Sequence, residues 1–312
     1  MAMSTSPHSA GTAGVRERAV RQYVINGQSA VAPPLAAGLH LVATPIGNLD
    51  DITVRALAVL AAADLIACED TRRSRKLVDH YGIATPLTPY HEHNANVARP
   101  KLLARLAEGA AIALISDAGT PLLSDPGYKL VHAATRSGVV VTAVPGPSAA
   151  LAALTVSALP TNRFFFEGFL PAKSAGRRSR ITALKDIPAT LVLFETAPRL
   201  GAALADLAAV LGAREAAICR ELTKMHEEVR RADLLALARE YATGEVRGEI
   251  VLVIAPPQRP EEISSEELDA LIRDALNRLA LKEAVVEIAA MTGAPRRTIY
   301  QRALKLTGEV KA

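Results

Sequence analysis

Short apolar runs alternate with longer segments of helical periodicity over most of the chain, beginning near Leu39. The runs are nearly continuous in valine, leucine, isoleucine and alanine, which is typical of strands buried on both faces of a parallel sheet. Strands are predicted first at Leu39–Ala43, Leu65–Cys68, Ile112–Ile115 and Val139–Val144. Helices are predicted at Ile52–Ala63, Thr71–Tyr81, Arg99–Glu108, Tyr128–Ser137 and Ser148–Ser157. This alternation predicts an α/β fold with a mostly parallel sheet.

A second α/β region follows, and the chain ends in a helical segment. Its strands are predicted at Phe164–Gly168, Thr190–Glu195, Ala216–Arg220 and Glu249–Ile254, with helices at Arg199–Leu211 and Asp233–Ala242. After a proline-rich linker, helices are predicted at Ser265–Leu279, Leu281–Thr292 and Ala294–Leu306, and the last has the glycine-bounded turn of a helix-turn-helix. The predicted domains are a flexible extension at 1–38, two α/β domains at 39–158 and 159–257, and a helix-turn-helix domain at 263–308.

Composition narrows the class of protein. Half of the 312 residues are hydrophobic and 22% are charged, which argues against a disordered chain. Because apolar stretches are interrupted by charges well before about 18 residues, no membrane span is expected. The first residues lack the apolar segment of a secretion signal, and two cysteines cannot form a disulfide framework. We therefore expect a cytoplasmic protein.

Three loops with glycine or proline follow predicted strands, where parallel sheets bind ligands. They are Thr44–Asn48, Ser116–Pro121 and Val144–Ser148. None matches the dinucleotide fingerprint or the P-loop, which disfavours nucleotide triphosphates and ordinary dinucleotides. Asp117 is a candidate either to accept hydrogen bonds from ribose hydroxyls or to cap a helix. Ser148 is a candidate either to contact a ligand or to cap a helix. Three such loops at one sheet edge predict a ligand cleft.

Basic residues are clustered although the net charge is only +4. The clusters are Arg72, Arg73, Arg75 and Lys76; Lys173 to Arg180, including Arg177 and Arg178; and the last helix, with Arg296, Arg297, Arg302 and Lys305. Solvated helix faces or flexible loops are the alternative interpretation of each cluster. The absence of tryptophan and the 4% of aromatic residues favour phosphate contacts over base stacking if the partner is a nucleic acid.

Five motifs, in order, are similar to those of a known family. They are Leu41–Thr53, Glu69–Arg72, Ser116–Pro121, Val144–Ala149 and Arg220–Lys224. Together they resemble the bacterial small-subunit ribosomal RNA cytidine-2′-O-methyltransferases, which belong to the tetrapyrrole methylase superfamily. The resemblance covers about Leu39 to Ala255, with the helix-turn-helix behind it.

The resemblance implies a two-domain, dimeric methyltransferase that binds S-adenosylmethionine between its domains and modifies a cytidine in the ribosomal decoding region. It implies cofactor contacts from the first domain at Thr44, Pro45, Gly47, Asn48, Asp117, Ala118, Gly119, Thr120, Ser148 and Ala149. From the second domain it implies contacts at Leu193, Phe194, Gly248 and Glu249. Arg72, Arg73, Arg75 and Lys76 are then predicted to contact RNA phosphates, with the loop that holds Arg177 and Arg178 ordering on RNA. Arg296 and Arg297 are predicted as a second contact.

Methyl transfer to a ribose hydroxyl requires an in-line geometry, and a base or a cationic neighbour must help with the hydroxyl proton, whose pKa lies far above neutral. Candidates at the sheet edge are Glu69, Asp70 and Lys224. The structural alternative for each candidate is a salt bridge: the carboxylates would pair with Arg72 or Arg73, and Lys224 would pair with Glu221. His91 and His93 with Glu92 form a weak ligand set, and no metal is expected.

Two other functions fit the same motifs. One is a methylase acting on a tetrapyrrole or another small molecule, which would need an apolar trough and no helix-turn-helix. The other is a DNA-binding regulator with a cofactor-sensing core, which would bind a specific duplex and transfer no methyl group.

Overall fold

The computed structural model describes residues 21–257 and 264–309. The chain divides into two compact units, Met1–Ala255 and Pro256–Ala312. Both predicted α/β regions lie in the first unit, so the expected boundary near residue 158 separates two sheets within one compact body. No helix in the described parts is both long and apolar enough to span a bilayer.

The first described element is a β-hairpin of β1 (Arg21–Ile25) and β2 (Gln28–Ala32). Tyr23 and Ala32 are buried against helix α1 (Val54–Ala62). The prediction of a flexible extension is therefore wrong for residues 21–38, and residues 1–20 lie outside the described part. An Asn-Gly pair, which favours tight hairpin turns, marks the hairpin in the sequence: Asn26 and Gly27 have φ of 50° and 74°.

The first sheet is parallel throughout, which fits the prediction of a mostly parallel sheet. Its central strands, Leu65–Cys68 and Ala111–Ile115, are apolar and buried along their whole length. Its strands are β3 (Gly38–Val42), β4 (Leu65–Cys68), β5 (Leu87–Pro89), β6 (Ala111–Ile115) and β7 (Val141–Val144), in the order β5-β4-β6-β3-β7. With α1, its helices are α2 (Thr71–His80), α3 (Ala95–Ala107), α4 (Tyr128–Arg136) and α5 (Ala149–Val156).

The second sheet is mostly antiparallel. Its strands are β8 (Phe164–Phe169), β9 (Thr190–Thr196), β10 (Glu215–Arg220), β11 (Glu228–Asp233) and β12 (Glu249–Ile254), in the order β11-β10-β12-β9-β8. The pair β8–β9 is parallel, and the other pairs are antiparallel. Sequence reasoning missed β11 because this edge strand is rich in charged residues. The helices are α6 (Ser174–Leu184), α7 (Leu200–Leu211) and α8 (Leu234–Glu240).

Helix α5 joins the two sheets into one body. Ala153 and Leu154 from α5 pack with Val192, Cys219 and Val253 from the second sheet in one buried cluster. This apolar contact holds the carboxyl ends of the first sheet's strands next to the second sheet.

Residues 264–309 of the C-terminal unit form three helices, close to the predicted ranges. They are α9 (Ser265–Arg278), α10 (Leu281–Thr292) and α11 (Arg296–Glu309). Ile272, Ile288 and Ile299, one from each helix, share an apolar core. Helix α9 starts with a capping box formed by Ser264 and Glu267, and Gly293 ends α10 in a left-handed conformation.

Candidate functional site

A cleft of about 700 Å³ lies between the two sheets of the first unit. This volume is in the range of small-molecule sites. The predicted site residues that line it are Glu69, Arg73, Asp117, Ala118, Gly119, Thr120, Ser148, Ala149, Phe194, Gly248 and Glu249. Of the three predicted loops, Ser116–Pro121 contributes four predicted residues to the cavity wall, Val144–Ser148 contributes Ser148, and Thr44–Asn48 contributes Ile46.

The loop after β6 is held by hydrogen bonds from its neighbours. The backbone N–H of Asp70 donates to Oδ1 of Asp117 at 3.0 Å, and a guanidinium nitrogen of Arg73 lies 3.5 Å from Oδ2. Thr120 Oγ1 donates to the Pro147 carbonyl at 3.1 Å, which ties this loop to the one after β7. Ser148 begins α5, but its side chain makes no capping hydrogen bond. The capping alternative for Ser148 is therefore not observed.

The loop Thr44–Asn48 supports the cleft rather than lining it at the predicted residues. Ile46 lines the cavity, whereas Thr44, Pro45, Gly47 and Asn48 do not. Thr44 is buried, pairs through its backbone with Gly119 and donates its hydroxyl to the Ser116 carbonyl at 3.2 Å. Its role here is to fix the neighbouring loop.

Gly47 and Asn48 contact the second half of the unit. The Asn48 N–H donates to the Thr223 hydroxyl at 3.1 Å, and any side chain at Gly47 would collide with Lys224. Thr223 has a φ of 65° and Glu221 one of 52°, which are strained values for residues other than glycine. The segment 221–224 thus has a strained backbone, and its side chains join the two halves of the unit beside the cleft.

Lys224 is an ion-paired residue outside the cavity lining. Its Nζ donates to Glu221 at 2.8 Å and to Glu249 at 2.9 Å. Although partial burial opposes the shift, these hydrogen bonds raise the pKa of Lys224. An ammonium held in this way is a poor proton acceptor, so of the two roles predicted for Lys224 only that of a cationic neighbour fits the structure.

The two carboxylates after β4 have different environments. Asp70 caps α2 and pairs with Arg72, whose side-chain and backbone hydrogen bonds lower the pKa of Asp70 to about 2. It lies outside the cavity lining, so the salt-bridge alternative is the one observed for Asp70. Glu69 lines the cavity, and burial, followed by the charge of Asp117, raises its pKa.

The second sheet contributes one predicted aromatic side chain, Phe194, to the cleft. Phe194 packs edge-on against Phe166 and Phe169, with ring centroids 5.0 and 5.7 Å apart. Leu193 is fully buried in the core on the opposite face of this sheet, so its side chain does not line the cleft. Successive strand residues point to opposite faces, which explains the difference.

Sequence reasoning missed Asp125, which also lines the cleft. It lies in the loop between β6 and α4, eight residues after Asp117. Burial, followed by the charges of Glu69 and Asp117, raises the pKa of Asp125 to about 6, with the Ser116 hydroxyl opposing the shift. The Ser124-Asp125-Pro126-Gly127 stretch has turn composition, a signal that was available in the sequence.

Helix α2 presents its basic residues to solvent. Arg72, Arg73, Arg75 and Lys76 are exposed, while Leu77 and Val78 face the core. Arg73 also reaches into the cleft, where it pairs with Asp117. This helix therefore places a cationic surface at the rim of the cavity.

Residues 174–180 of the predicted RNA-ordered loop instead belong to α6, and Arg177 is a core residue. The Arg177 side chain is 5% exposed and pairs with Asp206 at 2.7 Å. Arg178 is exposed, with its Nε 4.0 Å from the same carboxylate. The prediction that Arg177 contacts RNA is therefore wrong.

In the C-terminal unit, the two arginines at the start of α11 remain exposed. Arg296 and Arg297 are open to solvent, whereas Arg302 forms an ion pair with Asp269 of α9. Within residues 21–257 and 264–309, no three His, Cys, Asp or Glu side chains gather as metal ligands.

Comparison with known proteins identifies the relatives of both units. The model of the Tetrapyrrole (Corrin/Porphyrin) Methylases family matches residues 38–238, and that of the RsmI C-terminal HTH domain matches residues 262–307. Ribosomal RNA small subunit methyltransferase I of Mesorhizobium japonicum is 51% identical over 283 residues, 90% of this chain and 96% of that protein. The protein of the same name from Pseudomonas aeruginosa is 47% identical over 279 residues, 88% and 99% of the two chains.

Solved structures show the same fold at lower identity. Uroporphyrin-III-C-methyltransferase from Thermus thermophilus superposes with a TM-score of 0.52 and 22% identity over 70% of this chain and 94% of that one. These matches confirm the predicted fold class. The chain belongs to the tetrapyrrole methylase family and, within it, groups with the ribosomal RNA small subunit methyltransferases I.

Proposed function

We propose that this chain transfers the methyl group of S-adenosylmethionine to the ribose 2′-hydroxyl of a cytidine in small-subunit ribosomal RNA. The relatives that cover nine-tenths of the chain are named as methyltransferases of that RNA subunit. The observation that carries the proposal is a cavity of small-molecule size with the exposed basic helix α2 at its rim. A methyl donor and a polyanion can thus meet at one site.

The lining of the cleft suits the chemistry of S-adenosylmethionine, which combines an apolar base with a polar sugar and amino acid. Ile46, Ala149 and Phe194 supply apolar surface for adenine, and Asp117, Thr120 and Ser148 supply polar groups. Under the proposal, Asp117 accepts hydrogen bonds from the ribose hydroxyls of the donor, and the Gly248-Glu249 backbone borders it. The bound donor supplies an electrophilic methyl group, and the chain's own residues hold it and orient the acceptor.

The RNA-binding part of the proposal rests on charge. Helix α2 supports RNA contact because its exposed arginines and lysine can neutralise phosphates near the cleft. Arg178, Arg296 and Arg297 are also exposed and are proposed as further phosphate contacts. The resemblance supports a homodimer, and an RNA of the ribosome as substrate supports action in the cytoplasm.

The function is tested by incubating the protein with labelled S-adenosylmethionine and, separately, small ribosomal subunits, free small-subunit RNA and a uroporphyrinogen. We expect label in one RNA cytidine, recovered as the 2′-O-methyl nucleoside. Label in the tetrapyrrole alone, or specific duplex DNA binding without any transfer, would overturn the proposal in favour of one of the two other functions.

Substituting Arg72→Gln together with Lys76→Gln should weaken RNA binding. These residues are four apart on α2 and therefore share a face. If both contact phosphates, the slope of log affinity against log salt should fall by roughly one to two. The measurement is filter binding over a salt series. The matched control is Lys101→Gln with Arg105→Gln, an exposed pair with the same spacing on α3, and an equal slope for both double variants would contradict α2 as the RNA surface.

Substituting Lys224→Met should lower stability without abolishing methyl transfer. It removes the ammonium between Glu221 and Glu249, a partly exposed network worth about 1 kcal/mol. Thermal unfolding and a transfer assay measure the two effects, with Lys224→Arg as the charge-retaining control. A complete loss of transfer at unchanged stability would show that Lys224 acts chemically.

A further inference from the structure

Asp125 occupies a loop whose backbone is held in an unfavourable conformation. The loop connects β6 to α4, and its residues Leu122 and Ser124 have φ of 74° and 63°. A bulky residue such as leucine rarely adopts this left-handed region, and such strain persists only where surrounding structure enforces it. Strained residues concentrate at functional sites, which makes this loop a candidate for a role in the chemistry.

The second half of the unit holds the loop in place. A Cβ atom on Gly168 would lie 2.6 Å from Ser124 Oγ, so the absence of a side chain at Gly168 permits this close approach. Strand β8 has a bulge between Phe166 and Gly168, where its pairing with β9 shifts. Leu123, Ser124 and Asp125 thereby become part of the cavity wall.

The carboxylates in and near the cleft differ in their partners. Asp70 is paired with Arg72, and Asp117 receives an N–H and the Arg73 guanidinium. Asp125 has no ion-pair partner among the described residues, and it faces the like charges of Glu69 and Asp117. The other charged groups that line the cleft are Arg73, Glu195, Arg247 and Glu249.

We propose that Asp125 is the catalytic base that accepts the proton of the ribose 2′-hydroxyl. The inference rests on the proposed function and assigns a residue that the motifs did not select. The Asp125 carboxylate takes the hydroxyl proton while the ribose oxygen bonds to the methyl carbon. The carbon–sulfur bond breaks with its electron pair going to sulfur, which leaves a neutral thioether, a methyl ether and a protonated Asp125. That proton then passes to solvent.

The environment of Asp125 suits this task. A catalytic base works best when its pKa lies near the working pH, and burial beside Glu69 raises the pKa of Asp125 to about 6. The carboxylate form predominates above that pH, so transfer should fall as the pH drops through about 6. Glu69 acts as a positioning residue under this proposal, because its charge raises the basicity of Asp125.

Steady-state transfer to small ribosomal subunits or their RNA, measured from pH 5 to 9, tests the assignment. Asp125→Asn should lower kcat by about 100-fold or more and remove the acid limb of the profile, since general bases contribute about 10²–10⁴. Its affinity for S-adenosylmethionine by calorimetry should stay within about threefold of wild type, as expected for a group that acts in the transition state. Asp186→Asn, an exposed carboxylate after α6 that does not line the cleft, is the matched control and should keep the wild-type profile.

Glu69→Gln provides a second test that does not depend on the folding of Asp125→Asn. Removing the neighbouring charge should move the acid limb towards lower pH. The assignment is overturned if the acid limb does not move in Glu69→Gln or if Asp125→Asn transfers methyl groups at the wild-type rate. It is also overturned if the limb is lost in Glu69→Gln alone. If the wild-type protein itself transfers no methyl group to the RNA, the proposed function fails instead.

Discussion

Asp117→Ala is expected to weaken S-adenosylmethionine binding by about 100-fold or more. The carboxylate lines the cleft, and the proposed hydrogen bonds from two ribose hydroxyls to a charged group are each worth about 1.5–3 kcal/mol. Because about 1.4 kcal/mol is a factor of ten in affinity, two such bonds exceed a hundredfold. Isothermal titration calorimetry with the donor measures the loss directly.

Asp117 also supports the start of α2, so the test needs a variant that separates the two roles. Asp117→Asn can retain the acceptor for the Asp70 N–H, which lies 3.0 Å from Oδ1, while it loses the negative charge. We expect it to fold like wild type by circular dichroism and to bind the donor with intermediate affinity. Asp79→Ala, an exposed carboxylate on the same helix α2, is the control. Unchanged affinity in Asp117→Ala would remove this residue from the site.

Arg177→Met is expected to lower the free energy of unfolding by about 3–5 kcal/mol, because breaking a buried ion pair leaves an uncompensated charge. Arg177 Nε donates to Asp206 at 2.8 Å, and its other nitrogens donate to the carbonyls of Ala172 and Ala202. Ser174 donates to the same carboxylate at 2.9 Å, so one network joins α6 to α7. Urea denaturation monitored by circular dichroism gives the free energy.

The neighbouring arginine supplies a matched control for this prediction. Arg178 is exposed, so Arg178→Met should change stability by less than about 0.5 kcal/mol. Adding Asp206→Leu to Arg177→Met should recover part of the loss, because the unpaired carboxylate is then removed as well. An Arg177→Met protein that is as stable as wild type but binds RNA more weakly would restore the interpretation of Arg177 as an RNA contact.

The hairpin and α6 are two elements whose amino-acid composition predicts irregular structure but which the protein folds into regular elements. The Asn26-Gly27 pair favours a hairpin, whereas the short apolar runs and the Ser, Thr, Gly and Pro content of residues 1–38 predict a tail. Gly176 and the basic residues around it suggested a loop, but Ile181 and Leu184 bury one face of α6 against the sheet. Tertiary packing of an apolar face stabilises a helix that its intrinsic propensity leaves marginal.

The sequence by itself determined most of the strands and helices in the first half, although not the hairpin or β5. It also determined the loops that end at the cleft and the helix-turn-helix, because apolar periodicity and turn residues are local properties. Tertiary structure alone decided which polar groups are free to act. Asp70, Lys224 and Arg177 are each paired, and Asp125 is brought beside Glu69 and Asp117 without a counter-ion among the described residues. The protonation and reach of a side chain depend on neighbours distant in sequence, which residue spacing does not encode.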